Sequence, residues 1–360
     1  MRLRTKMKNV GITFSLLTLA ISMGFLVYFN FSGSKDAYAA VSNDYRSIGS
    51  GAWSSTSTWQ RYNGSSWVAA TAAPSSSHKT ITIQSGHIVD VTSNATVDQV
   101  VIDAGGTVNI NSGVTLTLAN GTGTDLSVSG TLRNAGTVTL SSSSISYLSG
   151  GTYQHNYTTT AGVIPTASWS TGSTCEIIGY TTNTATPTGM QSFQNFIWNC
   201  PSQAATINLN GTLTTVNGDL SIISTGGGEL RISNNSSTIN IGKDLAISGG
   251  IFGFSVAASQ TSTVNVGANF MMTGGNLSAV NGNSSTANIN LSGDYTHSDG
   301  IITHAGNAAT IVRFNFVKSG TQVFNSTNTS VLQNVDYVVS NGSTLSLGES
   351  ICYGRNFTLS

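Results

Sequence analysis

The stretch "STINIGKDLAISGG" (residues 237–250) returns as "STVNVGANFMMTGG" (262–275) and, more loosely, as "ANINLSGDYTHSDG" (287–300), at the same offset each time. Nearly every large side chain changes between copies, yet the order of apolar, polar and glycine positions is kept. A period of about 25 residues marks a solenoid in which one copy is one coil. Within a copy the apolar residues alternate: Ile239 and Ile241, a break at Gly242, Leu245 and Ile247, then Gly249-Gly250. Alternation of this kind means strand, with one face inward. Stacked at the repeat, the inward columns are Ile239/Val264/Ile289, Ile241/Val266/Leu291 and Leu245/Phe270/Tyr295. Coils join through backbone hydrogen bonds, which are indifferent to side-chain identity. An inward Ile or Leu gains about 1.5–3 kcal/mol only when a neighbouring coil covers it.

The pattern extends beyond the three clear copies. "VNGDLSI" (216–222) is in frame with "IGKDLAI" (241–247). Nearer the N-terminus, apolar pairs fall at Ile81/Ile83, Val89/Val91, Val100/Ile102, Val108/Ile110 and Leu116/Leu118. There Ile83 and Val108, and likewise Val91 and Leu116, lie one repeat apart and are expected to stack. Three short strands per coil predict an all-β chain, a right-handed parallel β-helix of about 25 residues per coil, since parallel crossovers are almost always right-handed. Roughly eleven coils fit from residue 80 onward at about 4.8 Å each. The expected organisation is a signal peptide over 1–39, an N-terminal cap region over 40–79, and β-helix over 80–152. An irregular or inserted segment follows over 153–201, then a second β-helical part over 202–360. "GRNFTLS" (354–360) starts the repeat frame again and stops inside a strand, so the chain is expected to be the N-terminal part of a longer protein.

Only 8% of the residues are charged, against a usual quarter, and solubility must come from Ser, Thr and Asn. Five of the 14 basic residues precede Ala40, leaving nine bases against 13 acids in the rest. No basic stripe remains for a phosphate backbone, which argues against nucleic acid as a partner. The first 39 residues have the order of an export signal: Arg2, Arg4, Lys6 and Lys8, an apolar run over 10–29, and Ala37-Tyr38-Ala39 as an A-x-A cleavage site. The run is also long enough to serve as an uncleaved anchor. Either way the remaining chain is expected outside the cytoplasm, secreted or at the cell surface.

"GAWSSTSTW" (51–59), "TITIQSGHIVDV" (80–91) and "GGTVNINSGVTLTL" (105–118) together resemble the start of secreted, repetitive β-helical surface proteins of Bacteroidota. Residues 53–136 are also loosely similar to the eight-glycine domain of extracellular hyaluronan-associated proteins. The resemblance implies surface location and adhesive or carbohydrate contact. It implies export by a system that reads a C-terminal sorting domain, and none is visible before Ser360. It supplies no catalytic residues.

Several groups are candidates for function. Trp53, Trp59 and Trp67 cluster ahead of the first coil. Exposed, they would stack on sugars; buried, they would cover the open apolar end that a solenoid must cap. Asp219, Asp244, Asn269 and Asp294 form one column at the repeat spacing. The carboxylates of Asp219, Asp244 and Asp294 could hold Ca²⁺ with backbone oxygens, and two neighbours could approach the separation of a retaining glycosidase pair. Asn269 in the same column points instead to an Asx side chain satisfying turn amides. The five histidines show no ligand spacing, and His297 falls in the column of Ile247 and Met272, a core position. Arg61 and Arg133 have no acidic partner set that would make a lyase base site. Cys175 and Cys200 are also one repeat apart; if the period held there, their Cα atoms would stack at about 4.8 Å, within reach of a disulfide. No cofactor is expected apart from Ca²⁺.

The functional expectation is a non-enzymatic extracellular or cell-surface β-helix, adhesin-like or structural, presenting a polar face to glycans or cells. The alternative is a polysaccharide lyase or glycoside hydrolase on the same fold, or its carbohydrate-binding part, with the catalytic module beyond residue 360.

Overall fold

The computed structural model describes residues 39–360 apart from 256, 281–282, 305–306, 308, 328–334, 352–355 and 360. The expected export signal therefore lies outside the described residues, except for Ala39, and Cys352 does also. Residues from Ala40 to Ser360 form one compact unit, so the cap and both β-helical parts belong to a single body. It is a parallel β-solenoid of about 10 turns. Among the described residues the only helical turn is Thr56–Thr58, and no helix is long and apolar enough to cross a membrane.

Each coil is built from up to three strands, one on each of three faces. The first face stacks Tyr45–Ser47, Ile81–Ile83, Val100–Ile102, Leu126–Val128, Ile145–Tyr147 and Ser168–Trp169 in parallel. In later coils Thr215–Val216, Ser237–Ile241, Thr261–Val266, Thr286–Leu291, Ile311–Phe316 and Val335–Val339 take the same place in chain order. The second face is continuous from Gly51–Ala52 to Ser343–Ile351. The third carries Ala95–Val97, Thr115–Leu118 and Thr137–Leu140, and later Ile207–Asn208, Leu230–Arg231 and Ile251–Ser255. Strand Phe270–Val280 turns a corner and pairs on the second and third faces together. Gly250, Gly275 and Gly300 mark that corner in successive coils with φ of 74°, 73° and 91°, a backbone region open to glycine without cost.

The three columns read from the repeat are in register. Ile239 pairs with Val264 and Val264 with Ile289; Ile241, Val266 and Leu291 follow; Leu245 pairs with Phe270 and Phe270 with Tyr295. Inside, the Tyr295 ring stacks between Phe270 at 5.2 Å and Phe324 at 4.7 Å. His297 stacks on Met272 and is fully buried, as its column requires.

The N-terminal register differs from the expectation. Ile83 pairs with Ile102, Val89 with Val108 and Val91 with Ile110, so the coil here is shorter than the repeat. Leu116 pairs with Ala95 on the third face. All three faces carry the same alternating pattern, so a full-repeat offset from Ile83 leads from the first face to the second. The apolar pattern cannot distinguish one coil from one coil plus one face.

Residues 153–201 continue the solenoid instead of interrupting it, while 156–167 and 178–194 hold no strand. Thr152–His155, Thr174–Ile177 and Asn195–Asn199 are three consecutive rungs of the second face, in direct register with one another. Their coils are also shorter than the repeat, which hides them from a fixed period. Their aromatics line the interior: Trp169 stacks on Tyr147 at 4.3 Å, and Phe193, Phe196 and Trp198 continue the chain of rings.

Candidate functional site

The tryptophans divide between core and rim. Trp53 and Trp59 are buried and meet edge to face at 5.0 Å. Their indole N–H groups donate to the carbonyls of Pro74 and Trp53, which lets the rings bury without an orphaned donor. Trp67 is half-buried on the antiparallel pair Trp59–Tyr62 and Trp67–Ala69, with the Arg46 guanidinium 4.3 Å over its ring and Tyr62 at 5.3 Å. Of the two readings the cap applies to Trp53 and Trp59, which have no face free for a sugar. The antiparallel strands pair with Tyr45–Ser47 and so cover the first edge of the parallel stack.

The Asx column is a ladder of main-chain contacts. The Asp244 N–H donates to Asp219 Oδ1 at 3.1 Å, that of Asn269 to Asp244 Oδ1 at 2.8 Å, and that of Asp294 to Asn269 Oδ1 at 2.9 Å. Asn195 Oδ1 accepts from Asp219 N–H at the start, and Asp294 Oδ1 from Val323 N–H at the end. Each side chain thus satisfies an amide at the corner of the next coil, a task Asn and Asp perform alike. The Ca²⁺ reading for Asp219, Asp244 and Asp294 gains no support: among the described residues no group of three or more His, Cys, Asp or Glu side chains could hold a metal ion.

The disulfide expectation is overturned. Cys175 pairs with Phe196 and not with Cys200, and both cysteines are free and buried. The local coil is shorter than the repeat, so Cys200 falls beyond the rung, where its thiol donates to the Ile177 carbonyl at 3.4 Å. Burial pushes the Cys200 thiol up to about 12 and that of Cys175 well above its ordinary value.

A carboxyl pair does occur, at Asp98 and Asp125. Burial, then the hydrogen bond it shares with Asp125, holds Asp98 above its ordinary value. Burial pushes Asp125 up as well, yet the amides of Gly121 and Ser144 bring it below. Both side chains bind local turn amides, Asp98 that of Gln99, which is the pattern of a turn lock.

The arrangement with the most outward chemistry lies on the second face. Strands Thr107–Ile110, Thr131–Asn134, Thr152–His155 and Thr174–Ile177 share the order Thr, inward apolar, outward polar, inward. In register, Thr107, Thr131, Thr152 and Thr174 form a half-exposed hydroxyl column about 4.8 Å per step. Two residues on, Asp90, Asn109, Arg133, Gln154 and Glu176 form a parallel polar row. Asn109 Nδ2 donates to Asp90 Oδ1 at 2.8 Å, Arg133 Nε to Gln154 Oε1 at 2.7 Å, and Gln154 Nε2 to Glu176 Oε2 at 2.9 Å. Asn199 Nδ2 reaches Glu176 Oε1 at 3.3 Å. Arg133, which the sequence leaves without partners, is thus tied to Glu176 through Gln154. Coil length changes at every step of this row, so a fixed period misses it. The recurring tetrad "TVNI", "TLRN", "TYQH", "TCEI" would have found it.

No protein-family model, curated protein or solved structure matches the chain.

Proposed function

We propose that this chain is an extracellular or cell-surface β-solenoid, adhesin-like and without catalytic activity, that contacts glycans through the second face. The observation that carries the reading is the row Asp90, Asn109, Arg133, Gln154 and Glu176 beside the threonine column. Planar amide, guanidinium and carboxylate groups are held in two bonded sets, Asp90 with Asn109 and Arg133 with Gln154 and Glu176, on a rigid sheet, so little side-chain entropy is lost when a hydroxyl-rich ligand binds. A glycan offers donors and acceptors on every hydroxyl, and the row offers both in return. The export pattern of residues 1–39 and the resemblance to secreted Bacteroidota surface proteins support the location.

The test is retention of the full chain on a panel of immobilised polysaccharides. The triple change Arg133→Ala, Gln154→Ala, Glu176→Gln is expected to weaken retention at least tenfold while leaving the far-ultraviolet β signature in place. Release of reducing ends or unsaturated products from any polysaccharide, abolished by Asp98→Asn or by Asp219→Asn with Asp244→Asn, would replace this reading with the lyase or hydrolase alternative.

A further inference from the structure

A second polar array lies on the first face of the later coils, on the side opposite the inward columns that define the repeat. Asn240, Asn265, Asn290 and Asn315 are direct register partners. Their side chains point outward, between inward neighbours such as Ile239 and Ile241 or Phe314 and Phe316. Each amide bonds the next: Asn265 Nδ2 to Asn240 Oδ1 at 2.7 Å, Asn290 Nδ2 to Asn265 Oδ1 at 2.8 Å, and Asn315 Nδ2 to Asn290 Oδ1 at 2.8 Å. A carboxamide has two N–H donors and two acceptor lone pairs. The ladder takes one of each from an interior member, leaving one donor and one acceptor per coil.

Beside the ladder runs an open cleft of about 440 Å³, lined by Ile241, Asn265, Val266, Gly267, Asn290, Ser292 and Val317. Those residues come from four successive coils, so the cleft follows the solenoid axis over about 14 Å. It exists because the corner residue is small in three consecutive coils: Gly242, Gly267, then Ser292. Close approach of the coils demands this, since a Cβ on Gly267 would lie 2.4 Å from the Gly242 carbonyl. Val317, in the same position one coil later, is 43% exposed and closes the cleft with an apolar side chain. Among the described residues no ionisable side chain lines it.

We propose that this cleft binds an uncharged, linear polysaccharide lying along the axis. Its hydroxyls would bridge successive amides of the ladder, and the apolar face of a sugar ring would rest on Val317. A polyanionic glycan finds no cation in the lining, and a ladder of equivalent amides suits a polymer of equivalent units better than a single small molecule. The proposal rests on the glycan-contact reading but concerns a different face, so the two can fail separately.

The experiment is affinity electrophoresis of the full chain in gels containing a neutral β-glucan, a neutral mannan or a polyuronate. The wild-type chain is expected to be retarded by a neutral polymer. Asn265→Leu with Asn290→Leu should weaken that retardation at least tenfold, and Ser292→Leu should do the same with the ladder intact. Ser292→Leu guards against misfolding, because Val317 already shows that this corner accepts a branched side chain. In the background of the Arg133, Gln154 and Glu176 triple change, Ser292→Leu should still lower retardation by the neutral polymer, because the cleft is separate from that row. If the neutral polymer is bound equally by wild type and Ser292→Leu, the cleft is not the site and the proposal falls while glycan contact stands. If no polymer retards the wild-type chain, both readings fall.

Discussion

At the scale of single residues, side chains that resemble chemistry here complete the backbone. Asp244 accepts the Asn269 N–H and nothing about that task needs a charge, as Asn269 shows one coil later. Asp244→Asn should therefore change stability by less than about 0.5 kcal/mol, whereas Asp244→Ala, which strands a partly buried amide, should cost about 1–2 kcal/mol. Urea unfolding measures both, and a rise in the midpoint on adding Ca²⁺ would contradict the ladder assignment. His155 lies in a buried polar knot. Tyr153 Oη is 3.1 Å from its Nδ1, the Ala161 carbonyl is 2.8 Å from its Nε2, and Asn134 Nδ2 donates to Tyr153 Oη. Burial lowers its pKa to about 4, although the Ala161 carbonyl pulls the other way. Above pH 6.5 the ring is neutral in folded and unfolded chains alike. As pH falls from 6.5 towards 4 the unfolded chain takes up a proton that the folded chain refuses, so stability is lost over that window, by about 3 kcal/mol. His155→Gln should flatten this part of the stability profile.

At the scale of the element, a coil is defined by how closely its corner lets the next one approach. Gly267 and Gly242 sit at such a corner, and backbone rather than a movable side chain faces the missing Cβ. Gly267→Ala should cost about 1–3 kcal/mol, read by thermal unfolding against Ser292→Ala as a near-neutral control. The strands of the second face illustrate how far register is legible in a sequence. Where coils keep one length, as from Leu220 to Tyr295, the register follows directly from the repeat. Where the length changes from coil to coil, as from Val89 to Cys175, it does not. The Cys175–Cys200 expectation failed for that reason, and so did the stacking of Ile83 on Val108.

At the scale of the whole solenoid, the alternation of apolar residues, the recurring glycine corners and the near-absence of charge were enough to determine a parallel β-helix. Each is a local rule that every coil must obey if its inner face is to be covered by the next. The Asx ladder was legible too, because a column that accepts both Asp and Asn states its own requirement. Where coil length varies, which residues become neighbours on the outer faces was decided only by the tertiary structure. Outward side chains obey no burial rule, so the sequence leaves their positions unconstrained until the coil lengths are known. Those lengths depend on how each corner turns, a matter of backbone packing between coils that apolar alternation does not encode. The Asp90-to-Glu176 row and the contact between Trp67 and Arg46 therefore appear only once the coils are stacked. The asparagines keep the repeat spacing and could have been aligned from sequence, but the cleft beside them follows from how closely the Gly242 and Gly267 corners let successive coils approach.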